Sequence, residues 1–190
     1  MLDQTQFANW ILPITLKFEG GYNNDPVDKG GETYRGISRN SNPNWIGWDI
    51  VDSLKPLGRG DIVNNRELVK AVAELYFDNY FKRNKFTQIE CKIVAIQLFD
   101  FAVHGGFSVF ELQLMLNKLF NCTLNVDGVF GEKTINAINE QKPDTLAHAI
   151  LNLRSEHLKE IVLKNPTQQK FEKGWNYRLD YLRHCIKIIQ

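Results

Sequence analysis

Apolar side chains recur every three or four positions at the start of the chain. Phe7, Ile11 and Ile14 follow this spacing within residues 3–18, and it is the spacing of one face of an α-helix. The pattern therefore predicts an amphipathic helix over residues 3–18. We expect a bend at Pro13, because proline has no amide hydrogen for the helical hydrogen bond.

Residues 20–38 break the helical pattern. Glycine, asparagine and aspartate crowd this segment, and Thr33, Tyr34 and Ile37 follow them. Such residues favour tight turns and short strands, so the segment predicts a short β-hairpin. Residues 40–64 are rich in proline and glycine, and we expect them to be irregular or only briefly helical.

Helical spacing returns in the rest of the chain. Asn65 is suited to cap a helix that runs to about Phe81. Residues 89–104 are apolar nearly all round, which indicates a buried helix, and Gly105-Gly106 are expected to end it. Further helices are predicted at about 108–120, 131–141, 144–164 and 168–188.

These elements predict a mainly α protein with a short β-hairpin after the first helix. We expect two lobes, 1–91 and 92–190. They are predicted to pack as one integrated unit, because no flexible linker separates them in the sequence.

The amino-acid composition argues against some classes of partner. Hydrophobic residues make up 43% and charged residues 24%, which is typical of a globular protein. The 23 basic and 22 acidic residues nearly cancel, so we expect no nucleic-acid partner. The apolar stretch 93–103 is interrupted by Gln97 and Asp100 and is too short to span a bilayer, so no stable membrane insertion is expected.

Cysteine and histidine give no sign of a metal or cofactor. The three cysteines are far apart and lack Cys-x-x-Cys spacing, and the four histidines form no His-x-x-x-His pair. No glycine motif of a nucleotide-binding protein is present either. We therefore expect no metal site and no cofactor.

Glu19 stands at the expected end of the first helix, directly before Gly20-Gly21. A carboxylate there meets the negative end of the helix dipole, which disfavours its ionised form. A carboxyl group that stays protonated is suited to act as a general acid. A surface glutamate that merely ends a helix would explain the same position, so both interpretations stay open at this point.

Asp25, Asp28 and Thr33 follow Glu19 on the glycine-rich segment. Hydrolysis of a glycosidic bond uses two carboxyl groups: one protonates the leaving oxygen, and the other positions water or stabilises the oxocarbenium ion. Turn formation is the alternative role of both aspartates, and Asp25 suits it well because Pro26 follows.

These residues belong to one string: Glu19-Gly20-Gly21-Tyr22, then Asp25-Pro26-x-Asp28-x-Gly30-Gly31-x-Thr33, then Gly36-Ile37. The string resembles the N-terminal signature of glycoside hydrolase family 108, the N-acetylmuramidases with a lysozyme-like fold. Later segments resemble the same family, namely residues 76–80, residues 99–106, and Phe171 with Gly174-Trp175-x-x-Arg178. The resemblance spans nearly the whole chain.

The resemblance implies a muramidase that cleaves the β-1,4 bond between N-acetylmuramic acid and N-acetylglucosamine in peptidoglycan, with Glu19 as the catalytic acid. Phage-type lysozymes use a Glu-Asp-Thr trio with eight residues between the two acids, and Glu19 and Asp28 have that spacing. Asp28 is accordingly assigned as the second catalytic carboxylate. Thr33 is assigned as the third member, although it comes one position early.

A second motif covers residues 125–134, Asn-Val-Asp-Gly-Val-Phe-Gly-x-x-Thr. It resembles the Asp-Gly-x-x-Gly-x-x-Thr signature of peptidoglycan-binding helical modules, which implies a wall contact at Asp127. A turn followed by a helix start would explain the same residues. The two resemblances together imply that 1–91 is a catalytic lysozyme-like lobe and that 92–190 is a helical lobe with a peptidoglycan-binding-like region.

Aromatic residues near these motifs are candidate sugar contacts, because an aromatic ring offers a broad apolar face with a polar tip. We assign substrate binding to Tyr22, Tyr34 and Trp175, together with Asp25 beside the acids. Packing in the core is the alternative role of such rings.

The sequence thus predicts a peptidoglycan hydrolase that binds glycan strands and acts as a monomer. The first twenty residues lack the apolar core of a Sec signal, so we expect synthesis in the cytoplasm and action in the periplasm or cell wall after release or export. The alternative is a noncatalytic cell-wall-binding or secretion-assisting protein of the same fold.

Overall fold

The computed structural model describes residues 1–25 and 31–189, which divide into two compact units. One unit is Gln4–Tyr80, and the other is Met1–Asp3 together with Phe81–Gln190. In the part of the chain that is described, no helix is long and apolar enough to cross a membrane. The catalytic lobe 1–91 and the helical lobe 92–190, packed as one integrated unit, stay a prediction, because a division by contacts does not say which residues act on substrate.

Helices account for most of the described residues, as predicted. They are α1 (Gln4–Gln6), α2 (Leu12–Leu16), α3 (Gly47–Ser53), α4 (Arg66–Tyr76), α5 (Lys92–His104), α6 (Val109–Phe120), α7 (Glu132–Asn139), α8 (Pro143–Lys164) and α9 (Glu172–Ile188). The described part of the chain also contains two π-helical segments (Phe7–Ile11, Phe77–Lys82) and two 3-10 segments (Phe86–Gln88, Pro166–Phe171). The mainly α fold class is confirmed.

The segments α1, Phe7–Ile11 and α2 follow one another without a break, and we call residues 4–16 the first helix. Its apolar face is buried at Phe7 and Ile11. The amide of Leu12 donates to the carbonyl of Phe7, which is the wider spacing of a π-helix. This widening comes directly before Pro13, the residue that cannot donate a helical hydrogen bond.

Among the described residues, three short strands form an antiparallel sheet in the order β1 (Tyr22–Asn23), β2 (Thr33–Tyr34) and β3 (Ile37–Ser38). Arg35 and Gly36 form the two-residue turn between β2 and β3, with φ angles of 51° and 77°. Positive φ at both central residues is typical of a tight hairpin turn. The predicted hairpin is confirmed, and β1 adds a third strand to it.

Helix α4 begins at its predicted cap. The Asn65 side chain accepts a hydrogen bond from the amide of Leu68 at 2.9 Å. Leu68, Val72 and Tyr76 are buried at four-residue intervals along one face. This face holds α4 in place and fixes the position of the Tyr76 hydroxyl.

In the second unit, α5 is the central helix. Every residue from Ile93 to Phe101 is buried, and the helix contacts both α8 and α9. It ends at His104, and Gly105 and Gly106 follow with φ angles of 93° and 89°. The predicted buried helix and its glycine stop are confirmed.

An ion cluster lies inside this unit, and we call it the Asp100 cluster. Arg154 Nη1 lies 2.6 Å from Asp100 Oδ1, and Arg178 Nε and Nη2 lie 2.8 and 2.9 Å from the two carboxylate oxygens. All three side chains are buried. Burial alone would raise the pKa of Asp100, but the two guanidinium groups outweigh it and hold that pKa below its usual range.

Candidate active site

Glu19 lies just beyond the first helix. The sequence predicted a helix to about Phe18 with Glu19 in its last turn, but α2 ends at Leu16. The amide of Phe18 then donates to the carbonyl of Thr15 at 3.0 Å and closes a final turn. Glu19 is half-buried and follows this turn. The prediction placed it a few residues too far inside the helix.

Arg35 occupies the carbonyl end of the first helix. Its Nη1 donates to the carbonyls of Leu16 and Glu19 at 3.3 and 3.4 Å. The Arg35 amide also donates to the carbonyl of Gly21 at 3.3 Å. A cation at this end of a helix stabilises the unpaired carbonyls. Arg35 therefore holds the main chain on both sides of the Glu19 side chain.

The side chains of Glu19 and Tyr76 both lie against Gly36. A Cβ atom placed on Gly36 would come within 2.8 Å of Glu19 Oε2 and within 2.7 Å of Tyr76 Oη. The Tyr76 hydroxyl donates to the carbonyl of Arg35 at 2.8 Å. Gly36 thus allows the positive φ of the turn and lets Glu19 Oε2 and Tyr76 Oη each come close to it.

Gly21 of the Glu-Gly-Gly-Tyr motif also has a geometric role. A side chain at Gly21 would collide with the carbonyls of Gly60 and Asp61. On either side of this contact, the Tyr22 amide donates to Asp61 O at 2.8 Å and the Gly60 amide donates to Tyr22 O at 2.7 Å. The motif therefore brings the segment 60–61 alongside β1.

A groove of about 1020 Å³ includes Glu19 in its lining, and we call it the Glu19 groove. One face of the first helix forms one wall, and residues 62–74 contribute the opposite side. Gly20, Gly21, Tyr34 and Arg35 complete the lining next to Glu19. A cavity of this size is large enough for a sugar or a short peptide.

The structure places the other predicted catalytic residues as follows. Asp28 lies outside the described residues. Thr33 pairs with Asn23 and Ser38 in the sheet and does not line the Glu19 groove. Asp25 lines a separate surface pocket together with Arg59. Among the described residues, Glu19 is thus the member of the predicted trio that faces the groove.

The two predicted tyrosines are both buried but have different surroundings. Tyr34 lines the Glu19 groove, and its hydroxyl accepts a hydrogen bond from the amide of Val63 at 3.1 Å. Tyr22 donates to Glu32 Oε1 at 2.8 Å. Burial, together with the neighbouring Glu32, raises the pKa of Tyr22. The structure therefore brings Tyr34, but not Tyr22, to the lining of the groove.

Glu32 is the acid that sequence reasoning missed. Glu32 forms ion pairs with Arg39 Nε at 2.6 Å and with Lys55 Nζ at 2.7 Å, and both cations also pair with Asp52. Burial would raise the pKa of Glu32, but hydrogen bonds from Lys55 and Tyr22 and the charge of Arg39 hold it below its usual range. Glu32 is thus an ionised member of a structural network, which does not suit a proton donor.

In the second unit, Asp127 takes part in what we call the Gln113 clasp. Asp127 Oδ1 accepts from Gln113 Nε2 and from the amide of Val129, both at 2.9 Å. Gln113 also accepts from the amide of Gly128 at 2.9 Å and donates to Thr134 Oγ1 at 3.1 Å. The hydrogen bond from Gln113, with that from Val129, lowers the pKa of Asp127. The motif residues therefore tie the 125–131 loop to α6.

Trp175 is half-buried on α9 beside two other rings. Its ring centroid lies 6.3 Å from His104, edge to face, and 6.0 Å from Phe171. Burial, together with the charges of Arg154 and Arg178, lowers the pKa of His104 to about 4. His104 is therefore neutral at pH 7 and adds no positive charge to the end of α5. Contacts with His104 and Phe171 therefore cover part of the Trp175 side chain.

Comparison with known families divides the chain into two matched regions. Residues 12–106 match the family described as Glycosyl hydrolase 108, and residues 108–180 match a family described as Predicted Peptidoglycan domain. No curated protein matches the chain significantly. Within the described residues, no group of three or more His, Cys, Asp or Glu side chains is placed to hold a metal ion.

One solved structure similar to this chain is that of Brucella abortus SagA. The two chains share 23% identity and superpose with a TM-score of 0.60 over 98% of this chain and 97% of the other. At this identity the likeness concerns the fold. The Glu19 turn and the β-hairpin both fall inside the region matched to the hydrolase family.

Proposed function

Because the chain belongs to the Glycosyl hydrolase 108 family and is a lysozyme-like protein acting on peptidoglycan, we propose that it cleaves the β-1,4 bond between N-acetylmuramic acid and N-acetylglucosamine. Glu19 is the general acid in this proposal. The observation that carries it is the position of the Glu19 carboxylate, half-buried beside Gly36 in the lining of a large groove. The site of action is the cell wall or periplasm.

Tyr76 supports the position of Glu19. Its hydroxyl donates to the carbonyl of Arg35, and Tyr76 Oη and Glu19 Oε2 both lie against Gly36. Because Gly36 has no side chain, the carboxyl group of the proposed acid fits beside the β2–β3 turn.

Arg35 supports the proposal in a second way. It binds the main-chain carbonyl of Glu19 and that of Leu16, so the backbone that carries the acid is fixed by a side chain from the β2–β3 turn. A general acid acts at a defined distance from the leaving oxygen, and a fixed backbone keeps that distance constant.

The second carboxylate in this proposal is Asp28, and Thr33 assists it. Asp28 is chosen over Asp25 because Asp25 precedes Pro26 and has a local role in the turn. Tyr34 is proposed as a substrate contact in the Glu19 groove, and Tyr22 and Asp25 as contacts in the separate surface pocket that they line. Asp127 and Trp175 are proposed to bind the glycan strand from the matched peptidoglycan region.

Glu19→Gln tests the proposed acid. We expect at least a ~100-fold loss of lysis, the scale for losing a positioned proton donor, with an unchanged or slightly higher thermal transition. Clearing of purified sacculi measures the lysis, and calorimetry measures the transition. Glu67→Gln is the matched control, because Glu67 is exposed on α4 and does not line the groove.

Two results would count against the proposal. Full lytic activity in Glu19→Gln would remove Glu19 from the role of the acid. A wild-type protein that binds sacculi without cleaving them would favour the alternative, a noncatalytic cell-wall-binding or secretion-assisting protein.

A further inference from the structure

The Glu19 groove extends well beyond the acid, along the first helix. Ala8, Leu12 and Leu16 lie on the helix face that forms one wall, at the spacing of adjacent turns. On the other side, Ile62 and Val69 are more than half exposed although both are apolar. Together these five residues give the groove an open apolar surface next to the acid, which we call its apolar floor.

The rim of this groove carries an excess of positive charge. Lys17, Arg35, Arg66 and Lys70 are the basic residues of the lining, against two acidic ones. Arg66 and Lys70 lie one turn apart on α4, with Val69 on the same face. Lys70 lies 3.6 Å from Glu74, and both of these side chains are largely exposed. An apolar floor between basic residues suits an acidic ligand that also carries small apolar side chains.

We propose that the Glu19 groove binds the stem peptide of peptidoglycan, the short acidic peptide carried on the lactyl group of muramic acid. This proposal rests on the proposed function. Cleavage at Glu19 places a muramic acid residue beside the groove, so its peptide is the part of the substrate that can reach the groove. The free carboxylates of the peptide pair with Arg66 and Lys70, and its alanine side chains lie on the apolar floor. The enzyme therefore prefers glycan strands that still carry their peptides.

The test compares two soluble substrates. One is a preparation of glycan strands with intact stem peptides, and the other is the same preparation after an amidase has removed the peptides. The wild-type kcat/KM should be higher for the strands with peptides. In the double variant Arg66→Glu with Lys70→Glu, we expect a loss of about threefold to tenfold on those strands, the scale of two exposed ion pairs, and a clearly smaller loss on bare strands.

Arg83→Glu is the matched control for the charge reversal. Arg83 is exposed and does not line the groove, so this change should leave both rates as they are. The difference between the substrates should also shrink at high salt, because exposed ion pairs are screened. Equal wild-type rates on the two substrates, or an equal loss on both in the double variant, would overturn the proposal.

A binding measurement separates this proposal from the assignment of Glu19. The probe is a soluble muramyl peptide, titrated calorimetrically into Glu19→Gln with and without the two charge reversals. Weaker binding after the reversals supports peptide binding in the groove even if Glu19 proves not to be the acid. Identical binding in both proteins refutes peptide binding in the groove and does not affect the assignment of the acid.

Discussion

Replacing the carboxylate of the Asp100 cluster should strongly destabilise the fold. Asp100→Asn keeps the size of the side chain but removes the negative charge that faces Arg154 and Arg178. Both arginines are at most 5% exposed, so water cannot replace the lost partner. Removing one member of a buried ion pair costs about 3–5 kcal/mol. For a domain of this size, that lowers the Tm by roughly 6–20 °C.

Thermal unfolding followed by circular dichroism measures this effect. The matched control is Asp180→Asn, because Asp180 pairs with Arg183 at 2.6 Å but is largely exposed. An exposed pair contributes only about 0–1 kcal/mol, so the Tm of the control should change little. If Asp100→Asn lowered the Tm no more than Asp180→Asn does, the cluster would not hold α5, α8 and α9 together as argued.

The same cluster predicts a dependence on pH. The pKa of Asp100 is lower in the folded protein than in the unfolded chain, where it is about 3.9. Its stabilisation is therefore fully present above that pH and is lost as the pH falls through the folded pKa. The Tm difference between wild type and Asp100→Asn should thus be constant near neutral pH and shrink in strong acid. A difference that grew in acid would contradict this assignment.

Two further predictions concern the second acid and the second unit. The variant Asp28→Asn should lose activity, whereas Asp25→Asn should keep most of it. Proton NMR should show the inverted α anomer as the first product. If Asp28→Asn were active and Asp25→Asn inactive, Asp25 would be the second carboxylate instead. A fragment of residues 92–190 should not melt cooperatively, whereas a fragment of residues 81–190 should melt sharply. The shorter fragment lacks Phe86, which is fully buried and packs edge to face with other rings. Equal calorimetric transitions for the two fragments would refute this prediction.

Local signals in the sequence were sufficient for much of the fold. The spacing of Phe7 and Ile11, the cap at Asn65 and the stop at Gly105-Gly106 each depend on a few neighbouring residues, and each was predicted correctly. These residues either recur with the period of the helix or lie next to one of its ends, so they can be recognised from the sequence alone.

Contacts between distant parts of the chain could not be predicted in this way. Arg35 reaches the carbonyl of Leu16 from another element, so the end of the first helix was placed too late. The ionised state of Glu32 depends on Arg39 and Lys55. The lowered pKa of His104 depends on its burial and on two arginines that come far later in the chain. No periodic pattern in the sequence records such partners.

The Gln113 clasp limits what can be inferred from the Asp-Gly-x-x-Gly-x-x-Thr signature in other sequences. Asp127, Gly128 and Thr134 meet the side chain of Gln113, so folding alone is a sufficient reason for a chain to carry the signature. Two proteins that share it need not bind the same polymer. Specificity has to be sought in the exposed side chains around the clasp, such as Phe110 and Val129, and these can differ freely while the signature stays intact.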